Sequence, residues 1–151
     1  MPITLFAHAA LGFQAVRLEG VLSGAELAGL GVLHQQYPEW ARSDAIHLAH
    51  DSIDVSQIDY SLLHKLRAHY RALQAGLDLH LVRRSAWVCA NPQAWEFLEY
   101  WLADRHTRDG QGTDVCLVSS LPEARLLFDP EELEAVEAWA DFAELHRLET
   151  P

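Results

Sequence analysis

Apolar and polar residues alternate over Val16-Arg17-Leu18-Glu19-Gly20-Val21, the pattern of a strand with one buried face. Ile3 to Phe6 reads as the strand before it, joined by a short loop containing Gly12. The period then changes. Leu27, Leu30 and Leu33 recur at helical spacing, and Ser23 and Glu26 stand at the separation of a capping box, so a helix runs to about Tyr37, before Pro38. Alternation returns at Ile46, Leu48 and His50 against His47, Ala49 and Asp51, predicting a strand near 45–50, followed by a polar loop over 51–57. Asp59 is a good cap for the next helix, whose stripe is Leu62, Leu66, Tyr70 and Leu73, with Leu63 beside it and Gly76 as its stop. Residues 78–83 fit a strand or a loop equally well.

Residues 85–90 read as a buried strand, and Asn91-Pro92 combines a helix cap with proline in the first turn. In the helix from 92 to about 105, Ala94, Trp95, Phe97, Leu98, Trp101 and Leu102 span an arc of roughly 160°, where one buried stripe needs about 100°. Asp109-Gly110-Gln111-Gly112 is a turn, Val115–Val118 a buried strand, and Leu121–Phe128 a short helix with Ser120 three residues before Glu123. Asp129-Pro130-Glu131-Glu132 opens a last helix, with Leu133, Val136, Trp139, Ala140 and Ala143 as its inner face. Strands alternating with helices predict an α/β fold: a four- to five-stranded mixed, mainly parallel sheet covered by helices, its opening pair antiparallel.

This order and its local patterns resemble the SpoIIAA-like proteins, the anti-sigma-factor-antagonist (STAS) domains and their small bacterial relatives, which share fold features with lipid-binding CRAL-TRIO domains. The resemblance is carried by Arg84-Ser85-Ala86-Trp87-Val88-Cys89-Ala90-Asn91-Pro92, by the aromatic helix Trp95 to Leu102, and by Val115-Cys116-Leu117-Val118-Ser119-Ser120-Leu121-Pro122-Glu123-Ala124. In the first half, Val16 to Gly20 and the capped helix at Ser23 match the opening of that group. The resemblance covers residues 1–128; residues 129–151 are expected as an acidic helical extension packed on the same domain. It implies a non-enzymatic regulatory or interaction module. Antagonists of this group are phosphorylated on a Ser in an Ile-Asp-Ser-Ser-Gly pattern. The corresponding Ile58-Asp59-Tyr60-Ser61-Leu62 has Tyr where the first Ser belongs and Leu in place of Gly, which leaves Ser61, beside Asp59, as the phosphorylation or interaction candidate.

Composition changes this picture in two places. The 151 residues carry a net charge of −11, which speaks against a nucleic-acid or anionic-membrane binder, since both need a positive face. Eight acids and one base lie in 129–151, so −7 of that charge sits there and −4 on the rest. No apolar run reaches the ~20 residues of a membrane span, the N-terminus does not read as a signal peptide, and Cys89 and Cys116 read as reduced core residues, so a cytoplasmic protein is expected.

No catalytic or metal motif stands out. His47 and His50 are separated by three strand positions and point to opposite faces, while His64 and His69 are poorly spaced for one ion on a helix. Glu96 and Glu99 read as a solvated helix face, and Arg83-Arg84 as a solvated strand start. No cofactor is implied. The aromatic face of 94–102 is read first as core meeting the sheet and the terminal helix; Trp95, Phe97 and Trp101 are the residues to watch as an interface or an apolar-ligand face. Three functions follow in order: an interaction module with a protein partner or a second copy, as in a homodimer; a carrier or sensor of a small apolar ligand; and an enzyme built from dispersed His and acids.

Overall fold

The computed structural model describes residues 3–76, 83–103 and 113–148. Six strands form one sheet: β1 (Ile3–His8), β2 (Gln14–Leu18), β3 (Ala45–Ala49), β4 (Arg83–Cys89), β5 (Thr113–Val118) and β6 (Phe142–Leu148), in the spatial order β5-β4-β3-β2-β1-β6. β2 to β5 are mutually parallel, and β1 is antiparallel to both β2 and β6. The helices are α1 (Gly24–Gln36), α2 (Pro38–Arg42), α3 (Tyr60–Gly76), α4 (Pro92–Leu102) and α5 (Pro130–Ala138), with a 3-10 helix at Leu121–Leu126.

Each crossover from β2 to β5 advances one strand in the same direction. Crossovers of one hand therefore stack their helices on one face. α1, α3 and α4, with Trp40 of α2, pack there against Ile3, Leu5, Val16, Leu18, Trp87 and Cys89. The opposite face buries Phe13, Ile46, Ala86 and Val118 beneath Ala124, Phe128 and Val136, which come from the 3-10 helix, the segment after it and α5.

Most predicted elements form, with local causes. Asn91 Oδ1 accepts from the N–H groups of Gln93 (3.0 Å) and Ala94 (3.4 Å) at the start of α4. Glu26 reaches back to the Ser23 N–H at 2.8 Å and to its hydroxyl, closing the first turn of α1. Asp129 and Glu132 form the same reciprocal pair at α5. Pro38 ends α1 and starts the short α2 as its first residue. The turn at 109–112, the choice at 78–82 and the end of the chain beyond Leu148 lie outside the described residues.

Four expectations are corrected. First, the sheet has six strands, not four to five. Second, the terminal segment is not helical throughout: α5 stops at Ala138, Trp139 (φ 52°) and Asp141 (φ 63°) turn the chain through left-handed backbone, and Phe142–Leu148 becomes an edge strand on β1. Phe142, Leu145 and Leu148 recur every third residue, which reads as helix. In the strand a bulge at Leu145, between the pairs Leu5–His146 and Phe6–Glu144, changes the phase. Phe142 joins the face of α5 and Leu145 and Leu148 join the other.

Third, α5 does not cover α4, because they lie on opposite faces; the wide apolar arc of α4 is covered by the sheet and by α3. Fourth, Arg84 is not simply a solvated strand start but a partly exposed, ion-paired residue. Its guanidinium is clamped between Asp44 (2.9 Å) and Glu132 (2.7 Å) and lies 4.4 Å from the centre of the Phe128 ring. The two cysteines are free and face opposite sides of the sheet, with Cys89 in one core and Cys116 beside the other.

Candidate functional site

The parallel strands β2, β3 and β4 all end on one edge of the sheet, where α1, α3 and α4 begin. The loops between them are tied together. His50 N–H donates to Leu18 O (2.9 Å), Asp54 N–H to Gly20 O (2.8 Å), and Leu22 N–H to Asp54 O (2.8 Å). Asn91 Nδ2 donates to Ile53 O at 3.3 Å, so the cap of α4 also holds the loop after β3. Gly20 sits at φ 68° with its N–H on Ser52 Oγ (3.2 Å).

On this platform a recess of about 80 Å³ opens between α3 and α4. Buried Leu63 and Phe97 form its base, Val55, Ile58 and Tyr60 its sides, and the exposed Asp59 and Gln93 are its polar members. Tyr60 is 52% exposed at its rim; Leu62 on the same helix turn is 37% exposed, and Val21, bridged to Asp54 in the adjoining loop, is 52% exposed. The Tyr60 ring stands edge-on to Tyr100 at 5.1 Å between ring centres, so it is held rather than free to fold back. A Cβ built on Gly24 would lie 2.5 Å from Leu62 Cδ2, which places Leu62 against the first turn of α1.

The candidates from the sequence are distributed as follows. Asp59 and Phe97 meet at this recess. Ser61 is exposed in the first turn of α3, between Tyr60 and Leu62. Trp101 is buried in the core and stacks on Phe97 at 6.4 Å between ring centres. Trp95 is half-buried, donates from Nε1 to Glu99 Oε1 (3.0 Å), and lines a separate open recess of about 220 Å³ with Leu102, Val115 and Leu117 at β5. Sequence reasoning missed Val21 and Tyr60, and placed Leu62 on the buried stripe of α3. That stripe is Leu63 and Leu66 instead, and Leu62 points out beside them. The available signal was the bulky run Ile58, Tyr60, Leu62, Leu63, which is wider than one stripe.

The chemistry of the edge is defined by groups that are already satisfied. Leu62 N–H donates to Asp59 Oδ1 at 2.7 Å, and Asn91 occupies the first amides of α4, so neither helix start presents a bare anion cradle at those amides. Hydrogen bonds from the Ser56 side chain and N–H hold the Asp54 carboxyl below its ordinary range and keep it charged. His50 Nδ1 pairs with Ser52 Oγ at 2.8 Å and also accepts from the Ser52 N–H, closing an exposed turn. His47 is apart from it, stacked on Trp87 at 3.8 Å between ring centres. Among the described residues, no group of three or more His, Cys, Asp or Glu is placed to hold a metal ion, and no helix is long and apolar enough to cross a membrane. No family model, no curated protein and no solved structure matches the chain.

Proposed function

We propose that this chain is a non-enzymatic protein-interaction module, similar to STAS-type domains, that engages its partner through the carboxyl edge of the sheet. The observation that carries the reading is exposed Tyr60 at the rim of the recess over Leu63 and Phe97, with exposed Leu62 next to it on α3 and exposed Val21 bridged to the loop that lines the recess. Large apolar side chains held outward next to a concavity are the composition of an interface centre. Ser61 lies between Tyr60 and Leu62, so a phosphate added there would alter this face directly.

The test compares the wild-type chain with Tyr60→Ser/Leu62→Ser as bait in extracts of the native cell, with captured proteins identified by mass spectrometry. A partner retained by the wild type and lost by the folded double variant supports the reading; identical capture by both overturns it. Light scattering after size exclusion decides between a separate partner and a homodimer. A second reading, a carrier of a small apolar ligand, is favoured by the larger recess beside Trp95 and Leu117. Added mass in native mass spectrometry that disappears in Leu117→Trp supports that reading.

A further inference from the structure

We infer that the partner at the carboxyl edge is a basic amphipathic polypeptide segment, which inserts an aliphatic side chain between α3 and α4 and sets Lys or Arg against the surrounding loops. This inference rests on the interaction reading above and specifies its partner. The loops at this edge, residues 19–23, 50–59 and 90–91, contain Glu19, Asp51, Asp54 and Asp59 and no Lys or Arg. All four acids are at the surface. Lys65, exposed on the second turn of α3, is the first cation met along that helix. Asp51, Asp54 and Asp59 stand unaccompanied by Lys or Arg in the loop that leads into Tyr60 and Leu62, whereas Glu19 lies 4.0 Å from Arg17. Asp54 pairs with Val21 as an isolated bridge between the two loops.

Charge and shape select among occupants. A second copy docked by the same face would bring Asp51, Asp54 and Asp59 towards their equivalents, on a chain whose net charge is already −11; like charges across a contact cost affinity. A nucleic acid or an anionic membrane meets the same repulsion. A free anion finds the Leu62 N–H of α3 taken by Asp59 and the Gln93 and Ala94 N–H groups of α4 taken by Asn91. A small volume of about 80 Å³ with Leu63 and Phe97 at its base takes a branched aliphatic side chain. Cations on either side of that anchor would find Asp51, Asp54 and Asp59, and apolar segments with such flanks are the helix-in-groove type of ligand.

The experiment uses the full chain, labelled with 15N, titrated with three short synthetic peptides: leucine and lysine at amphipathic helical spacing, the same with glutamate for lysine, and the same with serine for leucine. The expected result is that only the leucine–lysine peptide shifts the amides of residues 19–24, 52–63 and 91–97, saturably. Its affinity should fall about tenfold in Asp51→Asn/Asp54→Asn, and about tenfold in Tyr60→Ser/Leu62→Ser, where loss of an interface anchor is of that order. Equal binding of the leucine–glutamate peptide at this edge overturns the basic partner and leaves the interaction face standing. Shifts spread over α5 with the lysine–serine peptide equally effective mean nonspecific attraction and overturn the inference. If neither leucine peptide perturbs the edge, the interaction face fails with it.

Discussion

Arg84 and Glu132, from the first strand turn of β4 and the first turn of α5, are joined by two parallel hydrogen bonds of 2.7 and 2.8 Å. The same guanidinium donates to Asp44 Oδ2 and to Leu127 O, so one side chain ties β3, β4 and the approach to α5 together. Bidentate geometry of this kind is specific to arginine. Removing one partner leaves the other charge inadequately paired. We therefore expect Arg84→Ala to cost about 2 kcal/mol in urea denaturation, below the range for fully buried pairs because the site is partly exposed, with Arg84→Lys recovering only part of it.

The pair also sets a pH dependence. Hydrogen bonds from Arg84 hold the Glu132 carboxyl below its ordinary value of 4.5. A depressed folded-state value stabilises the fold above the unfolded one and loses that contribution as pH falls through the folded one. Stability should thus decline as pH drops below about 4.5. Glu132→Gln should be less stable than wild type at pH 7 and should show a shallower decline between pH 5 and 3, followed by circular dichroism.

His8 organises the turn between β1 and β2. Its Nδ1 accepts from the N–H groups of Ala10 (3.2 Å) and Leu11 (3.0 Å), and its ring packs against Phe13 and Phe142. His8→Ala removes the shared acceptor of both N–H groups and leaves a void; a loss of about 2 kcal/mol is expected in thermal or urea unfolding. His8→Asn, whose side-chain oxygen can still accept locally, should lose less.

Asn91 has two duties that can be separated. Its Oδ1 caps α4, and its Nδ2 holds Ile53 O in the loop after β3. Asn91→Asp keeps the cap and loses the donor; Asn91→Ala loses both, at about 1 kcal/mol for the cap alone. Hydrogen exchange should show faster opening of residues 50–58 in both variants, with global stability lowered chiefly in Asn91→Ala.

Burial raises both thiols, Cys89 and Cys116, above their ordinary value. Thiolate is the reactive form. Native protein should react with a maleimide far more slowly than the same chain in urea, and a reductant should leave the melting temperature unchanged. A reductant-dependent drop would contradict the placement of the two sulfurs on opposite faces.

Much of this architecture is legible in local patterns. Ser23–Glu26, Asn91-Pro92 and Asp129–Glu132 announce helix starts because each cap is satisfied within its own turn. What was illegible depends on partners distant in sequence. The three-residue spacing of Phe142, Leu145 and Leu148 means strand only when β1 offers an open edge and the bulge at Leu145 resets the phase. Arg84 looks like a surface residue until Glu132, 48 positions away, is folded against it. At the candidate site, Asp59 was readable as a cap and Phe97 as apolar. Their meeting at one recess was not, since it requires α3 and α4 side by side. Leu62 was read as inward, and Val21 passed unnoticed, because stripe and alternation patterns do not reveal where neighbouring elements end.

The position of β1 has a consequence for biosynthesis. Ile3 and Leu5 are wholly buried, yet β1 is flanked on one side by β6 alone, through pairs such as Ile3 with Leu148. During synthesis β1 stays an open, apolar edge until residues 142–148, more than 130 positions later, have left the ribosome. β1 therefore waits for β6 to cover it, and removal of residues 142–148 should leave the β1 edge open to pairing between chains, so that the variant aggregates.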